Sequence, residues 1–180
     1  MDLLTPDRYF SRISHIDIER DLLAAGIEAA CLDIDNTILT RDTREVPRDV
    51  AFWLAKARER GIGFCLVSNN WHSDVFQIAG QLDLPIVAKA VKPSPHGLLL
   101  AMRKMESNRQ NTVMIGDQLF TDVLAAHLAG MRAFMLQPLV DQDLPHTLMI
   151  RNIERVFLRA RIPEPAHHAR RNAEEANHGR

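Results

Sequence analysis

The chain has 180 residues, 46% hydrophobic and 25% charged, the balance of a soluble globular protein able to bury a core. A formal net charge of -1 gives no reason to expect a nucleic-acid partner. No run approaches the ~18 apolar residues of a membrane span, and the opening Met1 to Pro6 lacks the basic start and apolar stretch of a secretory signal, so a cytoplasmic protein is expected.

Asp17 to Ala25 reads as a short helix closed by Gly26, the residue suited to a left-handed C-cap. Ala29 to Ile34 is an apolar run carrying Asp33, and reads as a buried strand. Pro47 suits a helix start, and Asp49 to Arg60 repeats Val50, Trp53, Leu54 and Ala57 at helical spacing before Gly61. Ile62 to Val67 is a second strand running into Ser68-Asn69-Asn70. Asp74 to Leu82 follows as a helix, Ile86 to Ala90 as a strand, and Pro95 to Met105 as a helix. Thr112 to Ile115 is a fourth strand, Leu119 to Ala129 a helix closed by Gly130, and Arg132 to Leu136 a fifth strand. This alternation with short links predicts an α/β fold, a five-stranded parallel sheet covered by helices on both faces. Cys31 and Cys65 sit inside strand runs without a Cys-x-x-Cys pair and are expected as buried, reduced thiols. Leu148 to Arg161 reads as a last helix. Residues 1–162 are expected to form one domain, and 163–180, rich in Pro, His and Arg, a disordered tail.

Ligands of an open parallel sheet bind at the carboxyl ends of its strands. Those ends carry Asp33 and Asp35, then Ser68 and Asn69, then Lys92, then Asp117 and Asp122. Such a cluster supplies what phosphoryl transfer needs: a nucleophile, a cation site and donors for phosphate oxygens. Close carboxylates repel, a cation between them relieves the repulsion, and Asp117 and Asp122 can complete the oxygen shell that magnesium prefers. Asp33 could then attack phosphorus in line, with Asp35 protonating the leaving oxygen and later activating water. A lone Asp at a strand end is commonly a turn former, but four in this strand order are not explained that way.

Asp-x-Asp-x-Thr at Asp33, the strand ending in Ser68, the following Lys92 and Gly116-Asp117-x-x-x-x-Asp122 resemble the haloacid dehalogenase (HAD) superfamily of phosphatases over about residues 29–136. The Asp35-Asn36-Thr37, Ser68-Asn69-Asn70, Lys92-Pro93 and Gly-Asp-Gln-Leu-Phe-Thr-Asp segments, with the Leu-x-Pro before the first strand, resemble its YqeG branch in subfamily IIIA. The resemblance implies a Rossmannoid three-layer sandwich and a phosphomonoester hydrolase with an aspartyl-phosphate on Asp33 and Asp35 as general acid/base. It implies that Ser68 and Lys92 hold the phosphoryl group, with Asn69 a further donor. Mg2+ would bind Asp33, the main-chain carbonyl of Asp35, Asp117, and Asp122 through water.

Ile38 to Glu45 and Trp71 to Val91 leave no room for an inserted cap domain, so the site is expected to be essentially capless and open to a phosphate on a small molecule or a lipid headgroup. Relatives of this branch include phosphatidylglycerophosphate phosphatases, which brings in a peripheral contact at the inner membrane face through Leu3, Leu4, Tyr9 and Phe10 beside Arg8 and Arg12; the alternative is that these side chains pack over the sheet edge. Trp71 and His72 are expected at the pocket rim. His167, His168 and His178 build no zinc site. Two further readings keep the same residues: a phosphotransferase, and a non-catalytic partner of a GTPase or of ribosome assembly. The sequence says nothing about oligomeric state.

Overall fold

A computed structural model of the chain describes residues 2–40, 44–139 and 162–165. Six strands, β1 (Arg8–Phe10), β2 (Ala29–Leu32), β3 (Gly63–Val67), β4 (Ile86–Val87), β5 (Thr112–Gly116) and β6 (Arg132–Leu136), form one sheet in the order β1-β6-β5-β2-β3-β4. Every neighbouring pair is parallel. Four helices join them: α1 (Arg48–Glu59), α2 (Ser73–Leu82), α3 (His96–Lys104) and α4 (Leu124–Ala129).

Side chains of a strand alternate between faces, and the two faces of this sheet carry separate apolar layers. Ala30, Leu32, Phe64, Leu66, Val113 and Ile115 pack with Val50, Trp53 and Leu54 of α1 and Val75 and Ile78 of α2. Cys31, Cys65, Val67, Met114 and Met135 pack with Leu98, Ala101 and Met102 of α3 and Ala125, Ala126 and Ala129 of α4. Cys31 and Cys65 are register partners, both buried and free. Burial pushes the Cys65 thiol up to about 11, so it packs as a small apolar group rather than reacting. Gly26 and Gly130 adopt the left-handed conformation expected of C-caps, at φ 72° and 75°.

The sheet has six strands where five are expected. Arg8-Tyr9-Phe10 pairs with Phe134-Met135-Leu136, and Phe10 meets the Phe134 ring at 5.7 Å. Phe10 is fully buried, and Tyr9 is partly buried against the second layer. Arg8 Nη1 donates to Asp21 at 3.0 Å while its other guanidinium nitrogens bind the Glu164 carboxylate. Arg12 grips Asp49 at 2.8 and 2.9 Å. This segment therefore packs at the sheet edge, and of its apolar side chains Leu3, at 40%, is the exposed one. Glu164, expected in a tail, instead bridges Phe10 and donates its N–H to the Tyr9 carbonyl at 2.7 Å. The expected helix over 148–161 and the rest of the tail lie outside the described residues. No helix among the described residues is long and apolar enough to cross a membrane.

Three helical and strand boundaries also differ, each for a tertiary reason. Asp17 to Ala25 is a wide turn over Ile18–Leu22 followed by a tight one over Leu23–Ala25, because the buried Asp21 is drawn to Arg8. Leu119–Val123 is likewise a wide turn, which carries Asp122 back to the N–H of Gln118 at 3.1 Å before α4 begins. β4 stops at Val87 because Lys89 and Val91 turn left-handed.

α3 packs onto this turn at Gly97, where a Cβ would lie 2.6 Å from the Ala90 Cβ and 3.0 Å from its Cα. Gly97→Ala is expected to destabilise the fold by about 1–3 kcal/mol through overpacking. Urea unfolding checks this, and Ala90→Gly should recover part of the loss.

Candidate active site

The register decides what meets at the carboxyl edge. Leu32 of β2 lies beside Leu66 of β3 and Ile115 of β5, so the next residue of each strand emerges together. Asp33 donates its N–H to the Ile115 carbonyl at 2.9 Å and is 7% exposed. Beyond it Asn36 takes a left-handed conformation, φ 60°, and donates its N–H to the Leu39 carbonyl at 2.8 Å. Ile34, Ile38 and Leu39 are fully buried and anchor this loop, in which Asp35 bridges Leu39 and stays partly exposed.

Lys92 is the hub. Its Nζ donates to Asp33 Oδ1 at 2.5 Å, to Asp122 Oδ1 at 2.6 Å and to the Val67 carbonyl at 2.9 Å, so all three ammonium hydrogens are engaged. Its main chain is held by Asn69, whose carboxamide donates to the Lys92 carbonyl at 3.0 Å and accepts from the Lys92 N–H at 2.6 Å. Asn69, expected as a phosphate donor, thus clamps the lysine. Ser68 is buried, and its Oγ accepts the Asn70 N–H at 3.0 Å.

Asp122 reaches the site only because Gly116 has no side chain: a Cβ there would sit 2.2 Å from Asp122 Oδ2. Asp33, Asp117 and Asp122 are all buried, and one carboxylate oxygen from each lies within 4.8 Å of the others. Burial pushes the Asp33 carboxyl up from its ordinary 3.8 to about 7, against the pull of the Lys92 ammonium and with a further push from Asp122. Burial opposes charge on Lys92 too, but Asp122 and Asp33 outweigh it and hold its pKa above the usual lysine range. Three carboxylates facing one ammonium leave excess negative charge, which one divalent cation among them would neutralise.

Asp35 stands apart from this triad. Its Oδ1 accepts from Arg44 Nη1 at 3.0 Å, and Arg44 also approaches Asp74 at 3.6 Å. Nothing in the sequence signals Arg44, an arginine in a polar turn whose partner is nine positions away. Gln118 and Thr121, hydrogen-bonded at 3.2 Å, were also not anticipated, although they lie inside the motif that supplies Asp117 and Asp122. With Asp33, Asp35, Ser68, Asn69, Asn70 and Lys92 they line an open cleft of about 340 Å³. Among the described residues no domain is inserted over it: residues 33–47 join β2 to α1, and residues 68–72 join β3 to α2.

In the segment that leads into Lys92, Lys89 and Val91 have φ of 52° and 57°. A left-handed conformation in a β-branched residue costs on the order of 1–3 kcal/mol, and such strain gathers at functional sites.

A family model described as HAD-hydrolase-like matches residues 90–137, from the lysine turn through β6. The probable phosphatase YqeG of Bacillus subtilis (strain 168) is 32% identical over 155 residues, which span 86% of this chain and 90% of that protein. The fold is shared with the cobalt-bound deoxy-D-mannose-octulosonate 8-phosphate phosphatase YrbI of Haemophilus influenzae, at TM-score 0.52 and 13% identity over 76% of this chain and 90% of the other. It is shared also with NagD of E. coli K-12, at TM-score 0.52 and 14% identity over 61% and 87% of the two chains. A parallel sheet with this carboxyl-edge cluster, and a likeness to YqeG that runs through most of both chains, place the protein in the YqeG family of HAD-like phosphatases.

Proposed function

We propose that the protein is a magnesium-dependent phosphomonoester hydrolase that works through an aspartyl-phosphate on Asp33. The supporting observation is the buried triad of Asp33, Asp117 and Asp122 joined to Lys92. Its donors are all carboxylate oxygens, with no His or Cys among them, which suits a hard cation such as Mg2+. Asp33, Asp117 and Asp122 would hold the cation, with the Asp35 contribution through its main-chain carbonyl. Bound there, it supplies charge neutralisation for a phosphate approaching an acidic site.

An Asp33 carboxylate oxygen attacks phosphorus, and the bond to the ester oxygen breaks. Asp35 gives that oxygen a proton; Arg44 holds its carboxyl group in place. Water then attacks the acyl-phosphate with Asp35 taking its proton, which releases phosphate and restores Asp33. Neutralised acids grip Lys92 less tightly, so one of its N–H groups turns to the phosphoryl oxygens alongside Ser68. Asn69 acts at one remove by fixing the Lys92 backbone. The open, capless cleft admits an ester on a large molecule; phosphatidylglycerophosphate, which the family resemblance implies, is one such substrate.

Asp33→Asn is expected to lower turnover of para-nitrophenyl phosphate by about 10⁴-fold or more. Acid quenching of wild type should trap phosphate on the protein, and the variant should trap none. Phosphate release from a panel that includes phosphatidylglycerophosphate then ranks substrates. Equal inertness of both proteins across the panel would defeat the proposal.

The raised pKa of Asp33 sets a second expectation. Between pH ~4 and ~7 the folded chain keeps a proton that the unfolded chain has released, so cation-free stability declines as pH rises through that window. Binding Mg2+ expels that proton, so the apparent affinity should rise roughly tenfold per pH unit below pH 7 and level off above it. Calorimetric titration between pH 5.5 and 8 checks this. A flat profile would remove Asp33 from the cation shell.

A further inference from the structure

Trp71 and Val91 take no part in the chemistry above, yet each is next in sequence to a residue that lines the cleft, Asn70 and Lys92. Trp71 follows the cleft residue Asn70 and is 62% exposed; Val91 precedes Lys92 and is 63% exposed. The two segments are tied together and to the phosphate end. Lys89 donates its N–H to the Asn70 carbonyl at 3.3 Å, and Ala90 donates to the Ser68 carbonyl at 2.9 Å. Lys89 Nζ lies 5.7 Å from the Trp71 ring centre, and the His72 ring stacks on Trp71 at 5.4 Å.

Val91 carries the argument furthest. A left-handed turn here aims Lys92 inward, and that explains the backbone. It does not explain a valine, because Asn or Gly adopts φ 57° far more readily. Nor is the side chain buried, so packing does not offset the strain. What the residue presents is an exposed apolar surface one residue from the cleft lysine, in a segment hydrogen-bonded to the one that carries the exposed indole.

The geometry points to Trp71 and Val91 as a leaving-group subsite, which contacts an apolar leaving group of the bound phosphate ester while Lys89 steadies the indole. This rests on the phosphatase reading. The subsite favours aryl and other apolar esters over small polar ones.

The test compares kcat/KM for phenyl phosphate and glycerol 2-phosphate in wild type, Trp71→Ala and Val91→Asn. The ratio of the two is insensitive to any misfolded fraction, which lowers both alike. Trp71→Ala should lower the aryl-to-glycerol ratio about tenfold, with the change in KM for the aryl ester. Val91→Asn should lower it about threefold while raising Tm by about 2–4 °C, since strain is relieved as contact is lost. An unchanged ratio in both variants, or a lowered Tm in Val91→Asn, overturns the proposal. If wild type hydrolyses neither ester, the wider panel above decides the phosphatase reading, and phenylphosphonate titrated against tryptophan emission decides the rim by itself. A saturable change that vanishes in Trp71→Phe, with Trp53 buried as the silent reference, supports the subsite; no change overturns it.

Discussion

Lys92 is where fold and chemistry meet. Its ammonium is bonded within 2.6 Å to Asp33 and Asp122 and at 2.9 Å to the Val67 carbonyl, so the ends of β2 and β3 and the turn before α4 are tied at one atom. Removing one member of such a buried group typically costs about 3–5 kcal/mol, because the remaining charges lose their partners in a medium that solvates them poorly. Around this knot other constraints line up. Asn69 fixes the lysine backbone, Gly116 yields the volume that Asp122 fills, and the wide turn over Leu119–Val123 delivers Asp122 to its place.

The arrangement also separates two carboxylates by environment. Asp33 is buried among charges and its acidity is weakened, whereas Asp35 has one fifth of its side chain in water and an arginine beside it. Two carboxylates that stand two residues apart on one strand end thus meet different surroundings. Reversing the backbone at Lys89 and Val91 likewise leaves one long cation exposed and buries the next.

Much of this was legible in the chain because burial on both faces forces parallel strands into continuous apolar runs. The runs that became β2, β3 and β5 each end at the polar residues that form the cleft. Gly26 and Gly130 marked helix ends for the steric reason that they occupy left-handed positions. What escaped depended on partners distant in sequence. Arg8-Tyr9-Phe10 is too short and too mixed to read as a strand, and only β6 and Glu164 make it one. The clamp of the Asn69 carboxamide on the Lys92 backbone joins residues 23 positions apart, which composition does not record. The wide turns that replace regular helix at Asp21 and Asp122 arise from buried carboxylates seeking distant donors, which periodicity does not record.

The parallel pairing of β1 with β6 bears on how the molecule is made. β1 precedes all other strands in synthesis, yet its hydrogen-bonding neighbour is the latest of them and its outer flank is met by Glu164, later still. Until those residues leave the ribosome, the Phe10 side chain lacks the sheet edge that buries it. Closing so large a loop is slow, and nascent chains in that state are prone to premature association. The sheet can grow outward from its centre during translation, but β1 has to wait until β6 and Glu164 have been made.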